Sequence, residues 1–231
     1  MAKTNFPTYA NELRYLVKYR YIAGADEVGV GPLAGPVVAA AVILDPKKIG
    51  RLRSRSKWWY QVRDSKLLPP KKREELAGII YKNCLSVGIA CATVEEIDRL
   101  NILRARLLAM KRAVEGLRTV PDFLLVDGHL EVPGILIPQR SIIKGDVSVL
   151  SIACASIMAK VTRDNICDRL HRAYPEYGFD QHKGYPTRLH FNRLKQFGPC
   201  AEHRKTFTPV KLLLEKSGET ISFKAPEKEY I

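Results

Sequence analysis

The chain has 231 residues, of which 46% are hydrophobic and 27% are charged. This composition is ordinary for a globular protein and excludes the disordered, collagen-like and coiled-coil classes. The 38 lysines and arginines exceed the 24 aspartates and glutamates, which gives a formal net charge of +14. Such a surplus predicts attraction to a polyanion, either nucleic acid or an anionic membrane surface, and leaves an inert basic surface as the alternative.

The sequence does not predict a membrane protein. The longest apolar run, residues 32–44, is shorter than the roughly 20 residues of a membrane span and ends at Asp45. Residues 1–21 contain no signal-peptide core, so we expect a cytoplasmic protein without membrane contact. The five cysteines are scattered and form no C-x-x-C pair, which predicts reduced thiols rather than a zinc site or a disulfide framework.

Periodicity and turn residues predict the elements in chain order. They are a helix over 11–21, strands over 21–28 and 36–44, a helix over 69–83, a strand over 84–93, a helix opened by a capping box at 93–96, a helix over 104–117, strands over 123–126 and 135–138, and helices over 148–174, 188–197 and 209–216. The strands come first as a hairpin series, and helices and strands then alternate. This order predicts an α/β sheet with an antiparallel half and a parallel half.

Several common chemistries find no support in the motifs. The stretch Gly29-Val30-Gly31, with Gly35, looks like a dinucleotide-binding loop, but a strand rather than a helix follows it. The chain has no P-loop, zinc-protease or serine-hydrolase motif. Nucleotide-triphosphate, zinc and serine-nucleophile chemistry are therefore not predicted.

Four acidic residues stand at the ends of predicted elements, where a sheet presents functional groups: Asp26, Glu27, Asp127 and Asp146. Neighbouring strand residues point to opposite faces, so the first two can converge only where their strand ends or twists. Gathered in one pocket, four carboxylates would repel each other and raise each other's pKa. Two divalent cations about 3.5–4 Å apart would relieve the repulsion and are the usual device for phosphodiester cleavage. The alternative is four separate acids that cap helices and turns.

Several distinctive blocks of sequence follow one another along residues 20–210. They are 24–29, 32–42, 64–66, 126–128, 144–146, 155–164, 184–187 with His190, and 198–207. In content and order these blocks resemble bacterial ribonuclease HII, the type 2 ribonuclease H. So many ordered blocks are far more specific than a lone D-E-x-G motif.

The resemblance implies a ribonuclease H-like mixed sheet, with strands 1–3 antiparallel and strands 4–5 parallel, flanked by helices. It places a catalytic domain over 1–186, a C-terminal helical extension over 187–216 and a loose tail over 217–231. The implied activity is metal-dependent endonucleolysis of RNA paired with or joined to DNA, leaving 3′-hydroxyl and 5′-phosphate ends. The partners would be RNA–DNA hybrids and duplex DNA containing ribonucleotides, bound by a monomer.

The resemblance also assigns residues. Asp26, Glu27, Asp127 and Asp146 match the family's carboxylates for two divalent cations, Mg²⁺ or Mn²⁺, one activating water and one stabilising the leaving 3′-oxygen.

Further matches concern the substrate. The backbone of Gly29-Val30-Gly31 would meet ribose hydroxyls, and Tyr185 would pack on the sugar at an RNA–DNA junction. The 2′-hydroxyl is the only chemical mark of a ribonucleotide in a duplex, and amides with a phenol can recognise it. Ser65 and Lys66 match positions near the substrate phosphates. The alternative for Tyr185 is a buried loop tyrosine.

The chain departs from the family pattern in three places. Val30 replaces the usual arginine between the two glycines, Leu67 replaces a second lysine, and the segment 45–64 is longer. Within it, residues 47–63 combine seven basic residues with Trp58-Trp59-Tyr60, which suits a nucleic-acid backbone and stacked bases. A solvated basic loop with its aromatic residues packed on the domain is equally consistent.

Two rival functions stay open. A related nuclease that cuts DNA junctions would share the carboxylates without needing Tyr185. A catalytically weakened nucleic-acid-binding protein would follow if Val30 marks decayed chemistry, although all four carboxylates are present.

Overall fold

The computed structural model describes residues 6–49, 58–63, 65, 68–217 and 230–231. Five strands form one sheet: β1 (Ile22–Val28), β2 (Val37–Leu44), β3 (Cys84–Ala92), β4 (Phe123–Asp127) and β5 (Gln139–Ile142). The α-helices are α1 (Ala10–Leu16), α2 (Pro46–Ile49), α3 (Pro70–Asn83), α4 (Val94–Leu100), α5 (Ile102–Glu115), α6 (Gly145–Ser148), α7 (Leu150–Ala173), α8 (Phe179–His182), α9 (Arg188–Phe197) and α10 (Thr208–Ser217). Short 3₁₀ helices occur at Trp58–Gln61 and Pro175–Tyr177.

The strands lie in the order β3-β2-β1-β4-β5. Strand β2 pairs antiparallel with both β1 and β3, whereas β4 pairs parallel with both β1 and β5. This confirms the predicted sheet, antiparallel over its first three strands and parallel beyond them. Strand β1 lies where the two halves meet, and open α/β sheets present their functional groups at such a change of direction.

Apolar side chains pack on both faces of the sheet. Every residue of β2 is buried, because α7 covers one face of the strand and α5 covers the other. Val38, Ala40 and Val42 belong to the core on the α7 face, and Ala39 and Ala41 belong to the core on the α5 face. Strands that are buried on both sides have continuous apolar sequences, and for this reason the sequence predicts β2 clearly.

Small residues bring helix α7 close to the centre of the sheet. A Cβ on Gly24 of β1 would lie 2.4 Å from Ser151 Oγ, so any side chain there would push the helix away. Ala153, Ala155 and Ala159, small residues that permit close packing, are fully buried along α7. The helix therefore places its polar residues directly against the middle of the sheet.

The first helix is shorter than the predicted 11–21 and ends at Leu16. Beyond it, Asp122 Oδ2 accepts the backbone N–H groups of Arg20 at 3.0 Å and Tyr21 at 2.9 Å. These bonds tie the chain to the start of β4 and direct it into β1. A partner so far along the chain leaves no signal in local periodicity.

The strand predicted over 135–138 is wrong, since β5 follows that segment instead of occupying it. The side chain of Gln139 accepts from the Val132 N–H at 2.9 Å and donates to the Ile135 carbonyl at 3.2 Å, which holds the preceding residues as a loop. Strand β5 is a half-exposed edge strand carrying Arg140, so it has no continuous apolar signal.

Helices α9 and α10 pack on the segment between β1 and β2, where Leu33, Leu194 and Val210 share a small buried cluster. Of the predicted tail, residues 218–229 lie outside the described residues. At its end, Tyr230 is buried and its hydroxyl donates to a carboxylate oxygen of Glu202 at 2.6 Å. The domain boundaries after residues 186 and 216 stay predictions.

In the described part of the chain, no helix combines the length and the apolar character needed to cross a membrane.

Candidate active site

Asp26 and Glu27 occupy adjacent positions near the end of β1 and point to opposite faces of the sheet. Asp26 pairs in register with Ala40, which belongs to the core on the α7 face. Glu27 pairs with Ala39, which belongs to the core on the α5 face. The two carboxylates therefore flank the end of the central strand from its two sides.

Each of these acids has a polar partner on the helix that it faces. Ser156 of α7 makes a side-chain hydrogen bond to Asp26. Arg106 of α5 donates from Nη1 to Glu27 Oε1 at 2.9 Å. The second oxygen of that carboxylate, Oε2, is buried without a hydrogen-bond partner. A buried carboxylate oxygen left alone costs free energy, which a donor or a cation would recover.

Asp127 ends β4, the parallel neighbour of β1, and is tied to helix α6. Its Oδ1 accepts the backbone N–H of Gly145 at 2.7 Å and that of Asp146 at 3.4 Å. Asp127 therefore caps the start of this short helix, which is the role that the alternative prediction gave to separate acids. The same bonds place Asp146 beside Asp127, so capping the helix also brings these two acids together.

The four carboxylates share one electrostatic environment. Burial raises the pKa of Asp26 well above its usual value, and the negative charges of the other three acids raise it further. Burial also raises the pKa of Glu27. The Arg106 guanidinium lowers this pKa, and the negative charge of Asp127 raises it. The acids thus lie close enough to repel one another, as a cluster requires.

These residues fit a hard divalent cation. Carboxylate oxygens are the ligands that Mg²⁺ and Mn²⁺ prefer, and the unpartnered oxygen of Glu27 is available for one. Among the described residues, no three acidic, histidine or cysteine side chains converge closely enough to form a complete cation site. Mg²⁺ does not need one, because it commonly takes one or two carboxylates together with waters and substrate phosphates.

The loop between β1 and β2 is held from beneath by Arg204, whose side chain is fully buried. The guanidinium donates to the carbonyl groups of Gly29 at 2.5 Å, Val30 at 3.0 Å and Gly35 at 2.9 Å. Burial lowers the pKa of this arginine to about 9, so it remains charged at neutral pH. The backbone shape of the loop is therefore fixed by a buried cation and does not depend on the side chain at position 30.

A second buried guanidinium, that of Arg163 on α7, holds the other side of the loop. It donates to the carbonyl groups of Pro36 and Ala34, both at 3.1 Å, and of Lys183 at 3.0 Å. Gly29, at φ 96°, leaves room for it, because a Cβ there would lie 2.3 Å from Arg163 Nε. The arginine thereby joins the loop to the segment that follows α8.

Tyr185 stands beside this loop with 39% of its surface exposed, so it is not a buried loop tyrosine. Its Cε1 lies 3.8 Å from the position that a Cβ on Gly31 would take. The neighbouring Gly184 carbonyl accepts the Leu33 N–H at 2.8 Å, which fixes the two segments to each other. Exposed Gly31 and the Tyr185 ring therefore form one continuous surface.

Ser65 lies behind the acidic residues and is 3% exposed. Its Oγ is 3.0 Å from Ser156 Oγ, and Ser156 in turn bonds Asp26. The structure therefore connects Ser65 to the first carboxylate through one hydroxyl group. Lys66, the other residue matched to the phosphates, lies outside the described residues.

The aromatic residues of segment 47–63 pack on the domain. Trp59 is buried, donates from Nε1 to the Ile49 carbonyl at 3.3 Å and stacks on Tyr60 with ring centroids 4.2 Å apart. Trp58 and Tyr60 lie partly buried against the core that α7 covers. These contacts favour packing of the aromatic residues over stacking on bases. Residues 50–57, which include most of the basic side chains, lie outside the described residues.

Three arginines contact the site without being predicted as site residues, although two of them lie in the blocks that resemble the family: Arg106, Arg163 and Arg204. For Arg163 a signal exists, because it shares the apolar stripe of α7 with Ala159 and Cys167 at helical spacing. A charged residue on such a stripe is rarely buried without a polar partner. For the other two, no local pattern indicates the contact.

A five-stranded mixed sheet of this order, with carboxylates at the ends of its central strands, defines a ribonuclease H-like protein. Residues 23–210 match the sequence profile of the family Ribonuclease HII. Ribonuclease HII of Bordetella avium is 53% identical over 191 residues, covering 82% of this chain and 89% of the relative. Ribonuclease HII of Delftia acidovorans is 53% identical over 189 residues, covering 82% and 76%.

The comparison with solved structures agrees with the comparison of sequences. The crystal structure of ribonuclease H2 from Pyrococcus horikoshii superposes with a TM-score of 0.70 at 28% identity, covering 87% of this chain and 100% of that one. The chain therefore belongs to the ribonuclease HII family, and it is an endoribonuclease.

Proposed function

We propose that the chain cuts the RNA strand of RNA–DNA hybrids and nicks duplex DNA at embedded ribonucleotides, in a metal-dependent reaction that leaves 3′-hydroxyl and 5′-phosphate ends. One observation carries the proposal: mutually repelling carboxylates at the end of β1 lead directly into a backbone loop beside an exposed tyrosine. Family membership supports an activity on RNA. The loop begins two residues after Glu27, so a nucleotide on the loop would present its phosphate to the acids.

Asp26, Glu27, Asp127 and Asp146 would hold two divalent cations, Mg²⁺ or Mn²⁺. When bound, such cations activate a water and stabilise the leaving oxygen of a phosphodiester. Burial is the main cause of the raised pKa of Asp26, and the charges of the neighbouring carboxylates raise it further. This second cause supports the assignment, because added positive charge would relieve that repulsion. The protein itself orients the carboxylates, through Ser156 at Asp26 and the N–H groups of helix α6 at Asp127.

The loop and Tyr185 would recognise the ribose. Two buried arginines engage the carbonyl groups of the loop, so its N–H groups are left to meet a ribose hydroxyl. The exposed ring of Tyr185, beside Gly31, would pack on the sugar that carries this hydroxyl. A deoxyribose at the same place offers no such acceptor, which supports selectivity for a ribonucleotide.

The test compares three duplexes of one sequence: all DNA, DNA with a single ribonucleotide, and an RNA–DNA hybrid. Each is incubated with the protein in Mg²⁺, in Mn²⁺ and with a chelator, and the product ends are determined by mass spectrometry. We expect cleavage of the hybrid and of the single-ribonucleotide duplex, no cleavage of all-DNA duplex, and loss of activity with the chelator. Equal cleavage of the all-DNA duplex would support the DNA nuclease, and tight binding without cleavage would support the weakened binding protein.

A further inference from the structure

Three histidines lie buried beneath Tyr185 and are not part of the proposed site. His182 is 7% exposed, and His190 and His203 are fully buried. The rings of His182 and His190 stack with centroids 4.3 Å apart, and His190 Nε2 lies 2.9 Å from His203 Nε2. Two neutral imidazoles can form that bond only if one nitrogen donates and the other accepts.

Backbone groups at the two ends determine the direction of this bond. The Cys200 N–H donates to His203 Nδ1 at 3.0 Å, so Nδ1 is an acceptor and the proton of this ring is on Nε2. At the other end, the Tyr185 carbonyl can only accept, so His190 Nδ1, 2.9 Å away, carries a proton. Both ends require the same arrangement, in which His203 Nε2–H donates to His190 Nε2.

The protonation states agree with this geometry. Burial lowers the pKa of His190 to about 4 and that of His203 to about 3, so both rings are neutral at pH 7. His182 completes the cluster, because its Nδ1 accepts the Gly184 N–H at 3.1 Å and its Nε2 donates to the Tyr177 carbonyl at 2.9 Å. Each of the three rings therefore has a single tautomer that satisfies its partners.

The same bonds join the two segments of the proposed ribose-contacting surface. The backbone of His203 forms a β-bridge with Ala34, inside the loop between β1 and β2. Its side chain reaches His190, and His190 reaches the carbonyl of Tyr185. The only other donor to that carbonyl among the described residues is the Thr187 N–H, at 2.8 Å. Besides the Leu33–Gly184 bond that joins the two segments, a directed chain of hydrogen bonds thus ties the backbone of Tyr185 itself to the loop.

We propose that His190 is a positioning residue that holds Tyr185 against the Gly29-Val30-Gly31 loop, through hydrogen bonds directed from Cys200 to His203 to His190 to the Tyr185 carbonyl. The inference rests on the proposed function, because there the place of the tyrosine ring decides cleavage. A displacement of about 1 Å near a reacting centre can lower a rate roughly 100-fold.

The first measurement is independent of activity. In the full chain labelled with ¹⁵N-histidine, nitrogen shifts separate protonated from unprotonated ring nitrogens, and single replacements assign the five histidines. At pH 7 we expect His190 to carry its proton on Nδ1, and His182 and His203 to carry theirs on Nε2. A proton on His190 Nε2, or a doubly protonated ring, would overturn the proposal.

The second measurement is steady-state cleavage of a duplex with one ribonucleotide. His190→Leu removes both hydrogen bonds, and we expect kcat to fall by about 10- to 100-fold. KM should change little, because phosphate contacts dominate duplex affinity. His190→Asn places an amide donor near the former Nδ1 and should recover most of the loss. Tyr185→Ala removes the ring, so its kcat gives the largest loss that misplacing the ring can cause.

Phe179→Leu provides the matched control. The Phe179 ring packs at 5.9, 5.7 and 5.6 Å from the centroids of His182, His190 and His203. Its replacement should loosen the same cluster and lower the melting temperature without breaking the directed bonds, so kcat should stay near the wild-type value. An equal loss of kcat in both variants, or no rescue by His190→Asn, would reduce His190 to a structural residue. If the wild-type chain cuts no ribonucleotide duplex, the proposed function fails, while the nitrogen shifts still decide the hydrogen-bond direction.

Discussion

Arg106 and Glu27 form a salt bridge, with Nη1 2.9 Å from Oε1, that joins helix α5 to the second carboxylate of β1. Only one oxygen of the carboxylate is engaged, and Oε2 remains buried without a hydrogen-bond partner. The guanidinium therefore stabilises the charged form of Glu27 in the free protein. It also competes for this carboxylate with any cation that binds there.

The competition yields a prediction for cation affinity. Arg106→Gln removes a positive charge beside the proposed cation site, so Mn²⁺ should bind about fivefold more tightly at pH 8, equivalent to about 1 kcal/mol. Isothermal titration calorimetry measures the change. Arg104→Gln, on the exposed side of the same helix, removes an equal charge without touching Glu27 and serves as the control. Weaker binding in Arg106→Gln, or an equal change in both variants, would contradict the competition.

Val30 gives a prediction of gained activity. Because Arg204 holds the Val30 carbonyl, the loop should keep its shape when the side chain changes. Val30→Arg would add a charge-assisted contact to the substrate backbone, worth roughly 1.5–3 kcal/mol. We expect kcat/KM for a single-ribonucleotide duplex to rise by about 10- to 150-fold, with an unchanged requirement for cation.

Val30→Gln, a long side chain without charge, is the control for that experiment. A neutral or harmful Val30→Arg would show that this chain positions its substrate differently, with segment 47–63 as the next candidate.

The basic segment should contribute charge rather than stacking. Its aromatic residues pack on the domain, so its role in binding rests on phosphate contacts. Neutralising Arg51, Arg53 and Arg55 together should flatten the dependence of log K on log salt by about one unit per lost contact. A matched triple variant neutralises lysines of the last two helices and the turn between them: Lys195, Lys205 and Lys211. An unchanged slope in the arginine variant would leave the segment without a role in binding.

Much of the fold could be predicted because its signals are local. Strand β2 is an apolar run, and β1 is apolar up to Asp26. The capping box opens α4 as predicted, with Thr93 Oγ1 accepting the Glu96 N–H at 3.2 Å. The overlong first helix depended on Asp122, whose side chain bonds backbone groups 101 and 102 positions earlier in the chain, a contact that forms only after the chain has folded. The misplaced strand depended on Gln139, whose side chain bonds backbone groups only four and seven positions away and leaves no periodic signal.

The candidate site also has one part that the sequence predicts and another part that it does not. Acids that end apolar strands stand out in a sequence, and the structure places Asp26 and Asp127 at the ends of neighbouring strands. Their assignment as cation ligands stays a prediction. The partners that orient the site could not be predicted, because Arg106 reaches Glu27 only through the packing of α5 on the sheet. Arg204 reaches the Gly29 carbonyl of the loop from 175 positions further along the chain.

Glu12 makes stability depend on pH. It is 1% exposed, and Oε1 accepts the Ser151 N–H at 2.7 Å in the first turn of α7. Burial raises its pKa from 4.5 to about 7. Because the folded state then holds this proton more tightly than the unfolded state, stability is lost as pH rises from about 4.5 to about 7.

Glu12→Gln removes this dependence. Relative to wild type, the variant should gain up to about 3 kcal/mol of unfolding free energy between pH 5 and pH 8. Urea titrations at the two pH values measure the gain, and Glu131→Gln, at an exposed position, is the control. A constant difference between Glu12→Gln and wild type across this range would contradict the raised pKa.

The most direct test of the proposed cation site is single-turnover cleavage of a one-ribonucleotide duplex by Asp26→Asn and Asp127→Asn at saturating Mg²⁺ or Mn²⁺. Asp180→Asn is the control, since this aspartate is exposed and pairs with His171. We expect both site variants to bind the duplex normally and to cut it at least about 1000-fold more slowly, a loss of several kcal/mol of transition-state stabilisation. Asp180→Asn should cut at the wild-type rate. Near-normal cleavage by either site variant would contradict the claim that these carboxylates hold the cations.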